Sequence, residues 1–331
     1  MARMQKRTTT RLGRDVSVIG LGTWQLGADW GEVSESDARA VLDASVDAGV
    51  TVFDTADVYG DGRSESLIGS YLADRPELDI FVATKMGRRV PQVAENYVLD
   101  HFREWTDRSR RLLRRDTLDL VQLHCPPTEV VESDAVFDAL DTLVADGAIA
   151  RYGVSVETVD QALTAIARPR VASVQIILNA FRLKPLDAVL PAAAEAGVAI
   201  IARVPLASGL LSGRYTAQTR FAENDHRNYN RHGEAFDVGE TFSGVDFEAG
   251  VAAAQEFAAL AEAHGLTAPV AALAWVAQLP GVTTVIPGAR SVEQARSNAS
   301  AGEVAALAPE FGEAVRDLYD RYFREAVHER W

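Results

Sequence analysis

The chain has 331 residues, 47% hydrophobic and 24% charged, the balance of an ordinary soluble globular protein. Its 33 lysines and arginines against 47 aspartates and glutamates leave a net charge of −14, which argues against a nucleic-acid or anionic-membrane surface. A single cysteine, Cys125, excludes an internal disulfide, and no uncharged apolar run approaches the ~20 residues that span a bilayer.

A small anionic ligand remains compatible with the net charge, because it needs only a local basic site. The basic start "MARMQKRTTTR" lacks the apolar core of a secretory signal. These features predict a cytoplasmic protein.

In chain order, the strand candidates are "VSVIGLG" (16–22), "VTVFD" (50–54), "IFVATK" (80–85), "LDLVQLH" (118–124), "IARYGVS" (149–155), "SVQIIL" (173–178), "VAIIAR" (198–203) and "TTVIPG" (283–288). Helical patterns lie between them. "SESDARAVLDASVDAGV" opens on serine and acidic residues and closes on Gly49, as capped helices do. Two later helices close on Gly147 and Gly197.

Eight nearly continuous apolar strands, almost all followed by a helix, predict parallel pairing covered on both faces. That pattern fits an α/β protein of the (β/α)8 TIM-barrel class, with residues 1–331 as a single domain. The rival is an open doubly wound sheet. Two segments stand outside the alternation: a long polar loop after strand seven (214–248), of the kind that forms lids, and an extra amphipathic C-terminal helix.

In such a barrel the C-terminal strand ends converge. Here they read Asp54, Tyr59 just beyond it, Lys85 and His124. Pairing Lys85 with Asp54 satisfies both charges inside the mouth. A free tyrosine has a pKa near 10; the Lys85 cation favours the phenolate and is expected to lower that value. His124 is placed to hydrogen-bond a substrate oxygen. The set reads as a tuned proton donor, with no nucleophile beside a base and no metal-ligand spacing.

"GLGTW", "FDTADVYG…SESLIG", "TK", "LDLVQLH", "GVS", "PLASGLLSG" and "IPGARSVEQARSN" resemble the aldo-keto reductases in order and spacing across essentially the whole chain. Among their branches, the channel-associated subunits and inositol-dehydrogenase-like enzymes are the most similar in kind. The resemblance implies a TIM barrel that takes NADPH without a Rossmann domain. It also implies a catalytic set of Asp54, Tyr59, Lys85 and His124 serving reversible hydride transfer between NADPH and an aldehyde or ketone. The partner is then a small-molecule carbonyl or alcohol, and a homo-oligomer is compatible with the sequence.

The same resemblance assigns the cofactor contacts. Gly22, Thr23 and Trp24 approach from the first strand, beside Asp54, while Ser155 and Gln175 hold the carboxamide. Arg203 stands where many relatives stack an aromatic on the nicotinamide, and Val156 where many have asparagine. Pro205, Leu206, Ser208, Gly209, Leu211, Ser212, Gly213 and Arg214 follow the pyrophosphate. Gly288 and Arg290 meet the 2′-phosphate end, with Gln294 and Asn298 on the adenine.

Other features read as structural. "HRNYNRH" (226–232) has no preformed ligand geometry and belongs to a loop that folds over the cofactor. "DRSRRLLRRD" (107–116) reads as a solvated helix face. Trp24, Trp30 and Trp105 are candidates for a substrate pocket. Two other functions compete: a cofactor-binding sensor subunit, though that branch lacks the histidine kept here as His124, and a Schiff-base lyase using Lys85, which requires an uncharged amine that Asp54 opposes.

Overall fold

The computed structural model describes residues 3–27, 33–223, 225–235 and 237–331; Trp30 lies outside them. Ten strands occur in the described chain: β1 (Lys6–Arg7), β2 (Val16–Ser17), β3 (Leu21–Gly22), β4 (Val52–Asp54), β5 (Phe81–Met86), β6 (Leu120–His124), β7 (Tyr152–Ser155), β8 (Val171–Ile177), β9 (Ala199–Arg203) and β10 (Val282–Val285). The last eight form one parallel sheet in sequence order. Parallel bridges from Ile19 to Val285 and from Gly22 to Gly288 bring its two edges together, closing a TIM barrel.

The expected first strand, 16–22, is two pieces. Val16–Ser17 pairs antiparallel with β1, and the chain then changes partner to join the barrel. That junction is tight, since a Cβ on Gly20 would sit 3.2 Å from both Val52 and Ile286.

The crossovers are α1 (Glu35–Asp47), α2 (Arg63–Ala73), α3 (Leu99–Leu113), α4 (Asp134–Ala145), α5 (Val159–Ala167) and α6 (Val189–Ala196). After β9 the long loop leads into α7 (Phe247–Ala263) and α8 (Ala268–Gln278); α9 (Val292–Ser300) follows β10, and α10 (Pro309–Tyr322) is the extra C-terminal helix. Ser34 caps α1 by accepting from the Asp37 N–H at 3.1 Å. Ser133 makes no such side-chain bond at α4. Gly49, Gly147 and Gly197 all take left-handed backbones at the helix ends, where a side chain would be strained. The α10 helix packs on α7 through Phe311 and Phe257, centroids 6.1 Å apart. No single helix among the described residues is long and apolar enough to cross a membrane.

Strand periodicity positions the site. Alternate residues of each strand face the barrel interior. Val52, Phe81, Ala83, Leu120, Ala199 and Ile201 pack together there, apart from the outer core between strands and helices. Further along the same inward rows come Asp54, Lys85, His124 and Arg203. The barrel is thus apolar at its base and titratable at its mouth.

Candidate active site

Lys85 Nζ donates to Asp54 Oδ1 at 2.6 Å and to the Thr55 carbonyl at 2.9 Å. The second Asp54 oxygen accepts from Gln175 Nε2 at 2.8 Å. The Lys85 and Asp54 side chains are 1% and 4% exposed, so the pair is dry, and each partner neutralises a charge that burial alone would not tolerate. Thr23 locks the neighbouring strand end, its hydroxyl donating to the Asp54 carbonyl at 2.8 Å.

Lys85 Nζ also reaches the Tyr59 hydroxyl at 3.3 Å. The Tyr59 ring meets the His124 ring edge-on, centroids 6.0 Å apart, and stacks with Trp24 at 6.0 Å. The turn that presents Tyr59 requires Gly60: its φ is +60°, and a Cβ there would lie 2.2 Å from the Gly27 carbonyl oxygen. Asp61, next along, is clamped by Arg89 and Arg108. Arg108 therefore holds the tyrosine turn, rather than belonging to a solvated helix face.

The electrostatics differ from expectation at one point. Burial raises the Tyr59 phenol above its ordinary value, and the Lys85 cation only partly offsets that. The hydroxyl is therefore firmly protonated, an acid rather than a ready phenolate. Burial disfavours the Lys85 charge, but Asp54 outweighs it and holds the ammonium above its usual range, which opposes imine chemistry. Burial, with Arg88 and Lys85 nearby, pushes His124 well below its ordinary value, so the ring is neutral. Burial pushes the Cys125 thiol up to about 12, leaving it inert.

Across the mouth, Arg203 ends β9. Its guanidinium donates to Glu157 Oε2 at 2.9 Å and the Val156 carbonyl at 3.0 Å, and lies 2.7 Å from Glu240 Oε1. Burial works against this charge, but Glu157 and Glu240 hold it well above its usual range. Cys125, Glu157 and Glu240 converge as a metal set would, yet Arg203 bonds to all three. The next residue, Val204, has φ +52°, an uncommon conformation for a β-branched side chain.

A cavity of about 500 Å³ opens over these groups and extends to the start of α9. Tyr59, His124 and Asp54 line it, with Lys85 beneath. Of the expected cofactor residues, Gly22, Thr23, Trp24, Ser155, Gln175, Arg203, Pro205, Leu206, Ser208, Gly209, Ser212, Arg214, Gly288, Arg290, Gln294 and Asn298 line it as well. Leu211 and Gly213 do not: Leu211 is fully buried in the outer core, and Gly213 ends the turn with φ +69°.

Several polar groups in that wall are already engaged. The Ser208 hydroxyl donates to the Glu240 carbonyl and accepts from Phe242 N–H, both at 3.0 Å, while Ser212 donates to the Gly209 carbonyl at 2.6 Å. Gln294 Oε1 accepts from Arg290 N–H at 2.8 Å, and Asn298 Nδ2 donates to the Gly288 carbonyl at 3.1 Å. These side chains shape the loops, while Arg214 and Arg290 add cations to the cavity wall. Trp105 is 4% exposed in the outer core rather than in the cavity. Gln25, Tyr215, His226, Arg227 and Glu240 line the cavity without having been picked out as contacts. Apart from "HRNYNRH", read as a covering loop, no motif pointed to them.

Polar strand ends in a closed parallel barrel lie beneath a cavity that also takes in Arg214 and Arg290. The chain belongs to the aldo/keto reductase family, whose model matches residues 18–320. An oxidoreductase of Mycobacterium bovis is 32% identical over 298 residues, 87% of this chain and 85% of its own. The glycerol dehydrogenase of Gluconobacter oxydans shares the fold with a TM-score of 0.79 and 29% identity, over 96% of this chain and 95% of that one. An aldo/keto reductase from Klebsiella pneumoniae, solved with NADP and acetate, gives 0.70 and 25%, with 95% of each chain covered.

Proposed function

We propose that this chain is an NADP-dependent reductase of aldehydes or ketones that also runs in reverse on alcohols. The observation that carries the reading is the Tyr59 hydroxyl, set in the cavity wall 3.3 Å from a Lys85 ammonium that Asp54 holds at 2.6 Å.

The residues fit a phosphorylated dinucleotide. Arg214 and Arg290 stand at the far end with the N-terminus of α9, whose cap is Ser291; such an end favours phosphate. Ser155 and Gln175 stand at the near end. Gln175 gives one N–H to Asp54, which leaves its carbonyl oxygen and a second N–H for a carboxamide. Arg290 is assigned to the 2′-phosphate. The Klebsiella relative was solved with NADP, which supports a phosphorylated cofactor.

A dinucleotide held there would supply hydride to the carbonyl carbon, or take it back from the alcohol. Tyr59 gives its phenolic proton to the substrate oxygen. Lys85 stabilises the phenolate left behind, at the moment when its negative charge develops. Asp54 keeps Lys85 charged and in place, and His124, held neutral, orients the carbonyl by hydrogen bonding.

NADPH oxidation against aldehydes, ketones, sugars and inositols tests the assignment. Tyr59→Phe should lower turnover by about 10²- to 10⁴-fold while NADPH affinity stays within a few-fold. Retained turnover would remove Tyr59 from the acid role.

A further inference from the structure

The turn that carries Tyr59 rests on two buried carboxyls that the proposed reaction does not use. Asp57, two residues before the tyrosine, and Glu65, in the first turn of α2, are both 0% exposed. Neither carboxylate oxygen of Asp57, nor Oε2 of Glu65, has a hydrogen-bond partner among the described residues. Glu65 Oε1 accepts from Thr84 Oγ1 of β5 at 2.6 Å.

Charged groups face Asp57 from each neighbouring element. Arg89 comes from the segment after β5 and Arg108 from α3; the Tyr97 phenol comes from the segment before α3. From β5, the Lys85 carbonyl accepts the Asp57 N–H at 3.1 Å, while the Lys85 ammonium is committed to Asp54. Neither arginine bonds the Asp57 carboxylate. Arg108 donates to the Asp57 main-chain carbonyl at 3.2 Å and to Asp61, and Arg89 donates to the Asp61 carboxylate. The bonds these cations make beside Asp57 thus go to the turn's carbonyl and to Asp61 rather than to the Asp57 carboxylate.

Two carboxyls within Coulombic reach in a dry pocket do not both ionise readily. A proton on one removes a buried charge. Burial first, and Glu65 second, push Asp57 up to about 7 against the pull of Arg89 and Arg108; burial also raises Glu65. Ionisations of such a pair belong to the pair.

We propose that Asp57, fully buried with both carboxyl oxygens unpartnered, carries a proton beneath the Tyr59 turn and that losing it loosens the turn, which makes Asp57 a positioning residue. The kinetic half rests on Tyr59 being the acid; the buried proton does not. Once ionised, Asp57 competes with Asp61 and with its own carbonyl for Arg89 and Arg108, the bonds that fix the tyrosine. Reduction therefore weakens as pH rises through neutrality, well before Tyr59 itself ionises.

The test begins without substrate. Infrared difference spectra of the wild-type chain should show a protonated carboxylic band that disappears as pH rises through about 7, and that is missing in Asp57→Asn. Glu65→Gln, which keeps Asp57 beside a neutral neighbour, should move the midpoint downward and serves if Asp57→Asn fails to fold. In turnover, wild-type kcat should fall by about three- to tenfold across the same range. In Asp57→Asn that step should vanish, with the KM for NADPH within about twofold, since the change acts on orientation rather than binding. Absence of a carboxylic band titrating near neutrality overturns the buried proton on Asp57. A band present with identical kcat profiles in wild type and Asp57→Asn overturns the positioning role. Failure of the reductase reading would appear separately, as no turnover in the wild type with the infrared result unchanged.

Discussion

The two sides of the barrel mouth are built differently. On one, Asp54, Lys85, His124 and Gln175 all project from strands, and sheet register alone sets their separations. On the other, Arg203 ends a strand but its partners come from connections: Glu157 from beyond β7 and Glu240 from the long loop after β9. The first side is rigid because the barrel is rigid. The second is held only while the loops stay folded onto Arg203, which suits a wall that must open for a large ligand.

Breaking the strand-built side should have the largest effect. Lys85→Met leaves Asp54 buried with Gln175 as its remaining side-chain partner, and should cost about 3–5 kcal/mol in urea unfolding together with nearly all turnover. A loss below about 1 kcal/mol would mean that the pair behaves like a surface bridge and that the two sides do not differ. Arg290→Ala should come next, weakening NADPH by about ten- to a hundredfold, as expected for a charge-assisted contact, while NADH changes little. Equal losses for both cofactors would move the 2′-phosphate site elsewhere. Glu240→Gln should be the mildest. It leaves Arg203 bonded to Glu157 and the Val156 carbonyl, so NADPH release measured by stopped flow should speed up by about threefold to tenfold with global stability nearly unchanged. A large stability loss would show the loop side to be as structural as the strand side.

The same division decides what the sequence could show. The strand-end residues Asp54, Lys85 and His124 each close an apolar run, so their position follows from period-two alternation, and the barrel from the alternation of strands and helices. Loop residues carry no such period. Glu157 and Glu240 resemble any acidic loop residue until the fold brings them against Arg203. Ser208 and Ser212 sit where phosphate contacts were expected, but their hydroxyls are used by neighbouring backbone. Leu211 was swept up with its motif although its side chain packs inward. Arg108 was indistinguishable by charge from its solvated neighbours, because only the tertiary approach of Asp61 gives it a partner. The Tyr59 phenol was misjudged for a related reason: a neighbouring lysine is visible in sequence, whereas the completeness of burial is not.

Val204 sets a further consequence for how this mouth tolerates change. Its left-handed backbone carries strain of about 1–2 kcal/mol, and Asn179 Nδ2 holds its carbonyl at 2.9 Å. Substitution by glycine would relieve the strain, yet it would also strip side chain from the cavity wall and loosen the backbone beside Arg203. At this one position, drift toward a more stable chain and retention of a firm wall pull in opposite directions, and a thermostabilised descendant would be recognised by which of the two it gave up.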